Sequence, residues 1–144
     1  MLHTIQLIIA LTLSAVFIAL AVLHVAWALG FKWGGNSLLP QKPDGTLLFN
    51  PGTVACFIVA LVFVLPALIY LMRVGILATG IPDWVPSVGV WGIALVLLVR
   101  AIGDFRYAGL TKKIKNTSFA RRDTRLYTPL CLVLAALSIV LQLL

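Results

Sequence analysis

Apolar residues fall in four long runs separated by polar stretches, and runs of this length predict membrane-spanning helices. The first covers about residues 4–30, roughly 40 Å of helix at 1.5 Å per residue, enough to cross a ~30 Å hydrocarbon core with some tilt. The second covers 52–72 and carries Pro66 at mid-span, which neighbouring helices tolerate in lipid. The third starts near 82, is uncharged beyond Asp83 as far as Val99 and is read as continuing to about 107; the fourth covers 127–144. Small and weakly polar residues recur every three or four positions within each run. The expected seams are Ala10, Ser14, Phe17, Ala21, His24, Ala28; Cys56, Ala60, Phe63, Ala67, Tyr70; Gly89, Gly92, Val96, Arg100, Gly103, Tyr107; and Thr128, Cys131, Ala135, Ser138, Gln142. Their mean step of about 3.5 is the period of a left-handed bundle. The fold class is therefore all-α, a polytopic left-handed four-transmembrane-helix bundle occupying residues 1–144 as one domain.

Composition agrees: 62% of residues are hydrophobic and 10% charged, too little polar surface for a soluble globule. The first run lacks the basic n-region of a cleaved signal peptide and reads as a retained helix. Net charge is +7, yet eight of the eleven basic residues lie between Arg100 and Arg125, so the charge reads as membrane topology and no nucleic-acid partner is expected. Positive residues favour the cytoplasmic side, which places the loops 31–51 and 108–126 there and both termini on the external, periplasmic side. Gly34-Gly35-Asn36 and Pro43-Asp44-Gly45 supply turn chemistry to the first loop. Cys56 and Cys131 sit in apolar runs without metal-ligand spacing and read as packing residues.

Polar side chains on the seams are the candidates for chemistry. Arg100 and Asp104, four apart on one helical face, form an expected ion pair, because an unpaired arginine in the membrane costs about 2.5–3.5 kcal/mol. His24, with Trp27 one turn away, is placed in the same cytoplasmic half, and Arg106 and Tyr107 extend the set. Each has a plainer role beside the functional one: Arg100 snorkelling to headgroups, His24 making one interhelical hydrogen bond, Trp27 and Trp33 anchoring at the interface. There is no Glu; Asp44, Asp83 and Asp123 are read as loop residues, leaving Asp104 as the membrane acid or base. No phosphate loop, nucleophile elbow or metal-spaced Cys/His pair occurs, and one internal histidine is weak support for haem, so neither metal nor cofactor is expected. Asn116-Thr117-Ser118 matches a glycosylation pattern only incidentally on a cytoplasmic loop.

The most distinctive text is Arg100-Ala101-Ile102-Gly103-Asp104-Phe105-Arg106-Tyr107, then Lys112-Lys113-Ile114-Lys115, then Arg121-Arg122-Asp123-Thr124-Arg125-Leu126-Tyr127-Thr128-Pro129-Leu130-Cys131. With His24-Val25-Ala26-Trp27-Ala28-Leu29-Gly30 and Leu48-Phe49-Asn50-Pro51-Gly52, it resembles a family of short bacterial integral membrane proteins known as a domain of unknown function. The resemblance spans essentially the whole chain and implies a bacterial inner-membrane setting; it transfers no functional residues. From the residues themselves, the leading expectation is a polar chamber in the cytoplasmic leaflet that binds an amphipathic or anionic lipid-like molecule through His24, Trp27, Arg100, Asp104, Arg106 and Tyr107. Alternatives are a membrane enzyme of isomerase or transferase type with His24 and Asp104 as acid and base, an accessory subunit of a membrane complex, and a dimeric transporter. The expected partners are membrane lipids and a lipophilic small molecule, with a homodimer or larger complex in view.

Overall fold

The computed structural model describes residues 1–31, 38–78 and 80–144. Trp33 and the Gly34-Gly35-Asn36 turn lie outside the described residues. Among the described residues the α-helices are α1 Leu2–Ala28, α2 Thr53–Arg73, α3 Trp84–Ile102, α4 Ser118–Arg122 and α5 Thr128–Leu143, the last two joined through a π-helical turn, Asp123–Tyr127. Together α4, the π-turn and α5 make one helix, Ser118–Leu143, and with α1, α2 and α3 it gives four helices long and apolar enough to cross a membrane. No β-strand forms among the described residues, only an isolated Gln41–Leu47 pairing.

α1 packs along α2 and α3 along α5, and contacts of α2 with α3 and of α1 with α5 close the bundle. Burial follows the expected stripe in three helices. Ala10, Ser14, Phe17, Ala21 and Ala28 are buried in α1; Cys56, Ala60, Ala67 and Tyr70 in α2; Thr128, Ala135 and Ser138 in α5, with Leu134 and Leu141 beside them. In α3 the stripe is Pro86, Val90, Ala94 and Ala101, whereas Gly92 has nothing within 4 Å of an added Cβ and Val96 is 67% exposed. Gly89 keeps its expected place, close enough to Ile69 of α2 that an added Cβ would lie 2.9 Å from its side chain, whereas from Gly92 on the buried stripe passes to Val90, Ala94 and Ala101.

Ser14, Tyr70 and Ser138, polar and buried among the helices, each have a partner there, as groups must where water is absent. Ser14 Oγ donates to the Ala67 carbonyl at 3.1 Å, and Ser138 Oγ donates to Leu134 O at 2.7 Å, so the Tyr70 hydroxyl, 2.6 Å away, donates to Ser138. One turn farther along, Arg73 Nε donates to Gln142 Oε1 at 3.0 Å. These two α2-to-α5 links fix the helices in parallel register at the end of the bundle that bears Leu144.

The opposite, basic end is more elaborate than a pair of loops. α3 stops at Ile102, short of the expected 107, because Gly103 turns the chain with φ +95°. The chain then folds back on the helix it has left. Gly103 N–H bonds Val99 O at 2.9 Å, Leu110 N–H bonds Ala101 O at 2.8 Å, and the Thr111 amide and hydroxyl both reach Ile102 O, satisfying the last carbonyls of α3. The final membrane helix begins at Ser118 rather than near 127, since Thr117 Oγ1 caps it by accepting from Ala120 N–H at 3.1 Å. Gln41 Oε1 accepts from Phe119 N–H at 3.3 Å, docking the 38–49 segment on the same helix start.

Candidate functional site

Asp123 organises the basic end. Expected in a loop, it is instead fully buried at the start of the π-turn. Pro129 accounts for that turn: it has no N–H to offer Arg125 O and its ring crowds that carbonyl, so the preceding turn widens and Thr128 N–H bonds Asp123 O. A π-turn aligns positions five apart, and the Thr128 hydroxyl accordingly donates to Asp123 Oδ2 at 3.2 Å. The same oxygen accepts from Gly109 N–H at 2.8 Å and Lys112 Nζ at 2.9 Å, while Oδ1 accepts from Arg100 Nη2 at 2.7 Å. One carboxylate thus ties together the end of α3, the folded-back loop and the first turns of the last helix.

The expected Arg100–Asp104 pair is not made. Leaving the helix at Gly103 carries Asp104 off the face of Arg100, and the guanidinium turns to Asp123, 23 residues on. Asp104 is exposed, and its Oδ1 accepts the backbone N–H groups of Arg106, Tyr107 and Ala108 at 2.7–3.0 Å. It is the peg of a turn. Partial desolvation acts to raise its pKa, but the Ala108, Tyr107 and Arg106 amides outweigh it and hold the carboxyl below its usual range. A folded-state pKa below the unfolded one stabilises the turn above the ordinary carboxylate pKa of about 4, and that contribution is lost as pH falls through the lowered value. Hydrogen-exchange protection of the Arg106, Tyr107 and Ala108 amides, corrected for intrinsic rates, should therefore hold between pH 7 and 5, a range within the plateau set by a pKa of about 4, and decline in more acid solution. An unchanged profile in Asp104→Asn would contradict this.

The remaining candidates separate into two groups. His24 is half-buried in α1; its Nδ1 lies 2.8 Å from Leu20 O, which can only accept, so the ring proton belongs on Nδ1. The ring meets Trp27 edge-on at 4.8 Å and Phe63 at 5.1 Å. Arg106 is exposed and stacks its guanidinium 5.3 Å from the Tyr107 ring centroid. Among the described residues no hydrogen bond or ring contact joins His24 to Arg100, Asp104 or Arg106.

Two clefts open beside Asp123. One, about 310 Å³, is lined by Lys112, Lys115, Arg121, Thr124, Arg125 and Thr128, with Gly109, Leu110 and Ala120. The other, about 370 Å³, shares Arg121 and Arg125 and adds Ser118, Arg122 and Leu126. Neither has a carboxylate in its lining. Arg121 reaches Asn116 O and Ser118 Oγ only at 3.4 Å each, too long to hold it firmly. Leu110 and Leu126, one on each rim, are exposed. Such a surface suits an anion with an apolar extension.

None of these cleft residues is expected from sequence to bind a ligand: Thr128 reads as a seam residue and the others as loop text. Thr117, a capping residue type ahead of Ser118-Phe119-Ala120, and Pro129, eleven residues beyond Ser118, were the legible signals: the first moves the helix start back to 118, and the second demands an irregular turn around Asp123. Among the described residues no group of three or more His, Cys, Asp or Glu side chains converges.

Across residues 17–138 the sequence matches a family described as a protein of unknown function, DUF3995. No curated protein and no solved structure matches the chain.

Proposed function

We propose that this chain, which belongs to the DUF3995 family of proteins of unknown function, holds the anionic headgroup of an amphipathic molecule at the basic end of its membrane bundle. The observation that carries the reading is the pair of clefts that share Arg121 and Arg125 and contain no carboxylate. Asp123, adjacent in sequence to Arg122, is no competitor for those arginines, because both its oxygens are already engaged by Arg100 and Lys112. The headgroup would sit between Arg121 and Arg125, and the apolar part would pass Leu110 or Leu126 into the bilayer. Each basic group near an anionic leaflet contributes about 1 kcal/mol, so attraction to the surface and capture in the cleft act together. On the same reading the charge bias favours this end in the cytoplasm and both termini outside, and the family resemblance implies a bacterial inner membrane.

Thermal unfolding in neutral detergent tests it. Ligand binding to the folded state stabilises by RT ln(1 + [L]/Kd), about 2.7 kcal/mol at a hundredfold excess over Kd. Phosphatidylglycerol should raise Tm where phosphatidylcholine does not, the shift should shrink with added salt, and Arg121→Gln/Arg125→Gln should abolish it while leaving the lipid-free Tm close to wild type. Equal shifts with both lipids, or a shift that survives the double substitution, would overturn the proposal.

A further inference from the structure

We infer that the cleft walled by Lys112, Lys115, Arg121 and Arg125 is matched to a phosphomonoester, the headgroup chemistry of phosphatidic acid, rather than to the phosphodiester of most phospholipids. This rests on the anionic-headgroup reading above and specifies its chemistry. Lys112 distinguishes the site from a solvated basic patch. It lines the cleft, yet the residue is only 5% exposed. Its Nζ donates to Gly109 O and to Asp123 Oδ2, both at 2.9 Å. An ammonium has three N–H donors, and the third has no acceptor among the described residues.

Charge points the same way. Asp123 brings one negative charge to two cations, Arg100 and Lys112, so the buried cluster is positive by one before the rim is considered. Arg100 Nη1, buried and without a hydrogen-bond partner among the described residues, belongs to the same excess. Lys115, Arg121 and Arg125 add three cations around the opening. A diester offers two non-bridging oxygens and one charge; a monoester offers three acceptor oxygens and, above its second pKa of about 6, close to two charges. With three oxygens, one can face the buried ammonium while the others face the guanidinium forks, each bond charge-assisted. A diester must leave one of those walls unmet.

The full-length chain in neutral detergent, at about pH 8 so that the monoester is doubly ionised, is titrated with phosphatidic acid, phosphatidylglycerol and phosphatidylcholine. Phosphatidic acid should bind about tenfold tighter than phosphatidylglycerol, the change one further charge-assisted hydrogen bond carries. Lys112→Gln should bring the two anionic lipids level. The wild-type ratio decides the matter even if that variant fails to fold. Equal binding of the two, both above phosphatidylcholine, overturns the monoester inference and leaves the anionic-headgroup reading standing; no preference over phosphatidylcholine overturns both. Glycerol 3-phosphate is the competitor: failure to displace phosphatidic acid at equal concentration supports a lipid source, and full displacement retains the monoester while overturning the amphiphile.

Discussion

Asp123→Ala should destabilise the protein by about 3–5 kcal/mol, the range found when one partner of a buried ion pair is removed. The reason lies with the groups left behind. Arg100 keeps a side chain 37% exposed and can swing toward headgroups, but the Lys112 side chain is 4% exposed, meets the outside only through the cleft and cannot swing clear of the buried cluster. The Gly109 amide, which donates to Asp123 Oδ2, loses its acceptor at the same stroke. Stranded Lys112 should dominate the cost, so Asp123→Ala/Lys112→Ala should lose less than the sum of the two single changes. Asp104→Ala sets the contrast: its three amides lie in an exposed turn where water replaces the lost acceptor, and the cost should stay near 1 kcal/mol. Unfolding in a denaturing detergent series would rank the variants. Similar losses for Asp104→Ala and Asp123→Ala would contradict the assignment of Asp123 as the organising group.

Gly109→Ala should be nearly as damaging, and Gly45→Ala shows why. Both glycines have φ +82°, so each substitution forces an L-residue into left-handed backbone at about 1–2 kcal/mol. At Gly45 nothing lies within 4 Å of the added Cβ, and that strain is the whole effect. At Gly109 the methyl would overlap the Gly103 backbone and the Ile102 carbonyl, which belong to a turn already fixed by Val99 and Asp104. The loop cannot yield there without releasing the Leu110 and Thr111 amides from the end of α3 and Gly109 N–H from Asp123. A loss of about 3 kcal/mol or more is expected at Gly109, clearly above the Gly45 effect, and equal effects would mean that dihedral strain alone matters.

The four spans and most of their inward faces could be read from sequence because small residues repeat at helical spacing in α1, α2 and α5, and Ala10, Ser14, Ala60, Ala67, Ala135 and Ser138 are buried as that spacing requires. α3 shows the limit. Nearly every residue from Val85 to Val99 is apolar or small, so no polar face marks the lipid side, and the spacing that ran through Gly89, Gly92 and Val96 to Arg100 could not be told from the neighbouring stripe through Pro86, Val90 and Ala94 that is buried. The site was hidden for a different reason. A run such as Arg121-Arg122-Asp123-Thr124-Arg125 has the composition of a solvated loop, and only tertiary partners 23 and 11 residues away, Arg100 and Lys112, turn its aspartate inward. Such pairings depend on Gly103 and Gly109 bringing two backbone segments together, which neither periodicity nor charge counting reveals.

The most direct measurement is native mass spectrometry of the full-length protein released from bilayers of mixed phosphatidylglycerol, phosphatidic acid and phosphatidylcholine. The account predicts adducts dominated by the anionic lipids and their loss in Arg121→Gln/Arg125→Gln. Adducts that mirror the bilayer composition, and persist unchanged in that variant, would contradict it.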